Sequence, residues 1–146
     1  MAESRTPGHA TVRFAAVILL LTLACGSPQQ TGRQISFGGR EGDDIRGTVT
    51  VTPSGRGYTL RVLASGLVPA RTYALHLHRG RCVGPDSVGS RLELPSMRAD
   101  TRGEGAVTTL VENGPRADPG TVLHIHGGNT AGTAEYRKVV CTPLPR

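Results

Sequence analysis

The chain has 146 residues, 17 Lys and Arg against 11 Asp and Glu, three Cys, no Trp and only 3 Tyr and 2 Phe. That length fits a single domain, and its 20 Gly and 10 Pro, spread between β-rich runs, exclude collagen and argue against a helical bundle. All but one of the cations are arginines, dispersed singly without a basic run or interleaved aromatics, so a net charge of +6 reads as a mildly positive, solvated surface and not as a nucleic-acid interface.

The first segment is an address. Arg5 and Arg13 lead into an uncharged apolar run, Phe14 to Ala24. A bilayer span needs about 20 such residues, so this run fits a secretory signal instead. It ends Leu21-Thr22-Leu23-Ala24-Cys25-Gly26, which resembles the bacterial lipoprotein signal, where the Cys is lipidated and becomes the new N-terminus. Residues 1–24 are therefore expected to be a signal peptide and Cys25 a lipidation site; an ordinary cleaved signal with Cys25 incidental is the alternative. Either way the mature chain works outside the cytoplasm. Lipidated, it is held firmly to a bacterial membrane, facing the periplasm or the cell surface. Ser27–Gly32 reads as a flexible tether, and residues 25–38 are taken together as the stretch ahead of a domain over 39–146.

With Cys25 assigned to lipid, Cys82 and Cys141 remain in an oxidising compartment, and an even remainder reads as one disulfide. The competing reading, two thiolate metal ligands, lacks a nearby Cys or His partner at zinc-site spacing.

From residue 33 the sequence alternates in short runs. Gln34–Phe37 meets Gly38-Gly39; Ile45–Thr52 and Tyr58–Ala64 flank the turn residues Pro53–Gly57 and read as a hairpin. Gly66–Ala70 breaks the chain before Thr72–His78. Residues 79–103 read as mostly irregular, with a short apolar touch at Leu92-Glu93-Leu94. Gly105–Val111, Thr121–His126 and Tyr136–Cys141 complete the series. Roughly seven short strands without a helical period point to an antiparallel sandwich or Greek-key barrel.

All histidines beyond the signal fall in two copies of one pattern, His76-Leu77-His78 and His124-Ile125-His126. On a strand, residues two apart share a face at a rise of roughly 6.6 Å. Each pair therefore offers two imidazoles side by side, while Leu77 and Ile125 turn away. Two such strands brought together can surround one cation, and imidazole suits copper, zinc, iron and nickel. The plainer alternative is four histidines on water-facing surfaces.

These segments resemble the copper/zinc superoxide dismutase family, in its exported bacterial branch. The resemblance covers roughly residues 45–142. It is carried by Gly66-Leu67-Val68-Pro69, His76-Leu77-His78 with Cys82 close behind, Leu94-Pro95 leading to Ala99-Asp100-Thr101-Arg102-Gly103, His124-Ile125-His126-Gly127 and Arg137 to Cys141. It implies an immunoglobulin-like Greek-key β-barrel with a Cys82–Cys141 disulfide, and copper held by His76, His78 and His126. It also implies dismutation of superoxide, with Lys138, or Arg137 one residue away, as the cation that guides the anion. The family's bridging and zinc histidines are missing, because no His lies between Cys82 and His124. Asp86 and Glu93 fall near those positions, and two carboxylates without imidazole or thiolate make a poor zinc site. Copper without zinc is therefore expected. His124 is extra to the pattern and shares a face with His126. It is expected as a fourth copper nitrogen, the alternative being a pocket-lining ring that never touches metal. A non-catalytic copper-carrying module is the rival to the enzyme.

Overall fold

Alternation builds the first hairpin. In β2 (Arg46–Ser54) and β3 (Gly57–Ser65), Val49, Val51, Leu60 and Val62 are fully buried on one side, while Thr50, Arg61 and Leu63 point to the other. A computed structural model of the chain describes residues 31–39, 44–82, 91–128 and 137–146. The expected signal peptide, Cys25, Asp86 and Tyr136 lie outside those residues.

The described residues form eight strands: β1 (Arg33–Gly38), β2, β3, β4 (Thr72–Arg79), β5 (Arg91–Arg98), β6 (Gly105–Glu112), β7 (Thr121–His126) and β8 (Lys138–Pro143). They make two four-stranded antiparallel sheets, in the orders β1-β2-β3-β6 and β5-β4-β7-β8. The chain crosses between sheets after β3, β5 and β6, and β5 packs against β6 and β1 against β8. This is the all-β Greek-key sandwich the sequence leads one to expect. Leu75, Leu77, Leu123 and Ile125 of the second sheet meet Val49, Val51, Leu60 and Val62 of the first in one aliphatic core.

Three boundaries differ from the sequence reading. A full strand, β5, runs through the stretch read as irregular. Pro95 breaks its alternation, but β5 is an edge strand, where a missing N–H is tolerated. The β4–β5 register also shifts between Tyr73 and Leu75, so Pro95 and Ser96 together oppose Ala74 in a bulge. The ordered domain begins by Arg33 and not at residue 39, because Phe37 is buried in the core with Ile35 packed against it, and β1 pairs with β2 along its length. The last strand runs on to Pro143.

Two of the family-like motifs lock one end of the sandwich. Asp100 accepts backbone N–H bonds from Arg102 and Glu104 through Oδ1, which holds its carboxyl below the ordinary range. The turn brings Gly103 to φ 76°, and its carbonyl accepts the Leu67 N–H at 3.0 Å. A Cβ at Gly103 would sit 2.4 Å from the Leu67 carbonyl oxygen, so both the dihedral and the space require glycine. Cys82 and Cys141 are disulfide-bonded across a sequence separation of 59. On the chain-entropy model a loop of that length contributes about 4 kcal/mol.

Candidate metal centre

β4 and β7 lie side by side, with Ala74 opposite His126, His76 opposite His124 and His78 opposite Val122. Directly opposed residues share a face, so all four histidines project from one side, away from the core that Leu75, Leu77, Leu123 and Ile125 fill. The register extends outward on both sides. Glu93 of β5 opposes His76, and Cys141 of β8 opposes His124, giving a row Glu93–His76–His124–Cys141 across four strands.

The rings form a closed quadrilateral. Their centroids are 5.9 Å apart for His76–His78, 4.6 Å for His78–His124, 6.1 Å for His124–His126 and 5.0 Å for His126–His76. His76 is 1% and His124 3% exposed; His78 and His126 are half-buried. This rules out the alternative of four water-facing histidines. The Nδ1 atoms of His76, His78 and His126 and Nε2 of His124 are buried and make no hydrogen bond among the described residues. Among the described residues no group of three His, Cys, Asp or Glu side chains is arranged to hold a metal ion; the four imidazoles are neighbours on one face.

Glu93 and Arg91 set the state of His76. Glu93 Oε2 lies 2.7 Å from His76 Nε2, and Arg91 grips the other carboxylate oxygen. A carboxylate only accepts, so Nε2 carries the proton, and the neutral ring keeps its lone pair on the buried Nδ1. Burial pushes the His76 pKa down from 6.5 to about 4; Glu93 opposes that shift, while Arg91, His126 and His78 add to it. His76 is therefore neutral at neutral pH, the form that ligates metals.

Lys138 opposes His126 across β7 and β8 and is half-buried, beside an irregularity that inserts Val139 into the core. Arg137 is exposed, and its carbonyl accepts the Gly127 N–H at 2.8 Å. Of the two candidate guiding cations, Lys138 is the one in register with a histidine. The sequence singled out Glu93 only for a zinc position. Its contact with His76 depends on the β5 register, which no local pattern gives.

No protein-family model matches the sequence, and no curated protein matches it either. Solved structures do. A SOD-like protein from Bacillus subtilis is 18% identical, the match covering 78% of this chain and 99% of that one with a TM-score of 0.57. A single-residue mutant of a SOD-like protein from the same organism is 19% identical over 80% of this chain and all 100% of that one, with a TM-score of 0.60. A Cu/Zn superoxide dismutase from Brucella abortus is 16% identical over 77% of this chain and 99% of that chain, with a TM-score of 0.49. At such identities the likeness to the Bacillus subtilis protein establishes a shared fold, which agrees with the fold implied by the motifs.

Proposed function

We propose that the chain is a divergent, exported member of the copper/zinc superoxide dismutase family that binds copper through His76, His78, His126 and His124 and converts superoxide to oxygen and hydrogen peroxide. One observation carries this reading: four imidazoles from two strands, distant in sequence, form a single quadrilateral, with His76 and His124 closed off from water. Metal–nitrogen bonds of about 2.0–2.1 Å put ligand rings roughly 5 Å apart at their centroids, and these stand 4.6–6.1 Å apart, so small ring rotations bring the donors together. Imidazole nitrogens suit copper.

Copper held by His76, His78, His126 and His124 would supply one-electron redox chemistry. The protein's own part is to keep the His76 donor neutral and to draw in an anion. Glu93 holds the His76 proton on Nε2, leaving Nδ1 for the metal. Lys138 places positive charge next to His126, where it raises the capture rate of a small anion. Overall, two superoxide ions and two protons give one oxygen and one hydrogen peroxide. A lipid on Cys25 would keep this chemistry on a bacterial membrane outside the cytoplasm.

A copper-carrying module without turnover is the second reading. It is favoured by the absence of any further His between Cys82 and His124, since the family's bridging histidine also helps to deliver a proton. Superoxide decay measured by pulse radiolysis on the copper-loaded chain separates the two. The enzyme should exceed both free buffer and its His126→Ala variant; a rate equal to buffer with copper still bound leaves the carrier. In the same series, His124→Ala should weaken copper and alter its spectrum. An unchanged affinity and spectrum removes His124 from the ligand set.

A further inference from the structure

One end of the sandwich concentrates cations that the histidine face does not use. The β2–β3 turn sets Arg56 near Arg33, the first residue of β1, and Arg116 of the β6–β7 connection; the three line one open hollow of about 430 Å³. Arg79 and Arg81 close the same end. The Gly80 N–H donates to the Gly120 carbonyl at 3.0 Å, and Thr121, where β7 starts, lies opposite Arg79. Among the described residues here, only Glu112 and Asp118 oppose them, Glu112 at 3.6 Å from Arg56 and Asp118 at 2.8 Å from Arg79. At the other end carboxylates come closer to matching the arginines, two of them against three. Arg46 and Arg98 share a hollow with Asp100 and Glu104, and Arg102 pairs with both of those carboxylates.

The chain also enters the domain at the arginine end, because β1 begins there with Arg33. Residues 25–32 reach at most about 3.3–3.6 Å each, so a lipid on Cys25 would hold this end within about 30 Å of a bilayer. Guanidinium groups near an anionic lipid surface are attracted within a Debye length, about 8 Å at physiological salt. We propose that the arginine end is a docking surface for an anionic bilayer, which turns it to the membrane and keeps the flank carrying the histidines off the lipid. The lipid reading of Cys25 supplies the membrane; the surface itself is testable without it.

The mature chain from residue 25, carrying Cys25→Ser, is floated with vesicles of phosphatidylglycerol and phosphatidylcholine and with pure phosphatidylcholine. Binding to the anionic vesicles should be at least tenfold tighter, and should fall steeply with added salt. Arg33→Gln, Arg56→Gln and Arg116→Gln together should weaken it at least fivefold, whereas Arg46→Gln with Arg98→Gln, at the far end, should change it less than twofold. These side chains are exposed, so the fold is not at risk. Equal losses from both sets, or equal binding to both vesicle types, would overturn the proposal. So would equal binding to a DNA duplex at the same salt, which would make the end a general polyanion surface. Acylation of Cys25 is read separately by labelling the wild-type protein in cells with a fatty-acid analogue, and a negative result there leaves the vesicle assay standing.

Discussion

The two sheets share one kind of aliphatic inner face, yet their outer faces differ. Along β3, buried and open positions alternate from Tyr58 to Ala64, and the outward residues include Arg61 and a Leu63 that is 36% exposed. Along β7, every residue from Thr121 to Ile125 is buried, and β4 is buried from Tyr73 to Leu77. The outer positions closed off from water on these two strands are Ala74, His76, Val122 and His124, so two of the four are imidazoles. Burying a polar ring is costly unless something engages it. Sheet β1-β2-β3-β6 thus shows what the fold needs for stability, and β4 with β7 carries the polar rings on which the copper proposal rests.

The sharpest way to break this contrast is to empty the histidine face. His76→Ala with His126→Ala should lower copper affinity by at least about a thousandfold, beyond the 10–100-fold typical of outer-shell changes, as read by competition with a chromogenic chelator. Retained affinity would mean that the quadrilateral is not the site. Next in size, Cys82→Ala with Cys141→Ala should cost about 4 kcal/mol in a denaturant titration. A much smaller loss would show that the pairing from β4 to β8 holds these strands without the crosslink. Glu93→Gln keeps the shape but removes the charge that holds the His76 proton, and should weaken copper by about 10–100-fold with little change in stability. No change in isothermal titration would leave Glu93 a surface residue.

Acid should act on the histidine face first. His76 stays neutral in the folded protein down to about 4, whereas the unfolded chain takes that proton near 6.5. Between those values the unfolded state binds more protons, so stability of the metal-free protein falls as pH drops from 6.5 to 4 and is unaffected by this group above 6.5. The slope is at most about 1.4 kcal/mol per pH unit, and a flat profile across that window would show that His76 is not buried as described. The smallest effect belongs to the other sheet: Thr50→Ala, on the outer face of β2, should shift stability by less than about 0.5 kcal/mol.

Much of the fold was legible because half-buried strands announce themselves. Val49 and Val51 against Thr48 and Thr50 leave one reading, and the hairpin to β3 follows. The edge strand β5 was not legible, since Pro95 interrupts its period and its place in the sheet excuses that interruption. The pairing of the two His-x-His segments on one face followed from strand period two, but the period says nothing of whether that face is wet. Only the assembled structure shows His76 and His124 closed from water. Glu93 stayed hidden for a different reason: its contact with His76 depends on a register set by a bulge at Ala74.

The most direct test is electron paramagnetic resonance of the chain loaded with one equivalent of copper(II) at neutral pH, with histidine nitrogens labelled by 15N. We expect one bound copper per chain whose hyperfine pattern changes on labelling and reports at least three imidazole nitrogens. A spectrum of free or carboxylate-bound copper, insensitive to the label, would contradict a metal centre built on β4 and β7.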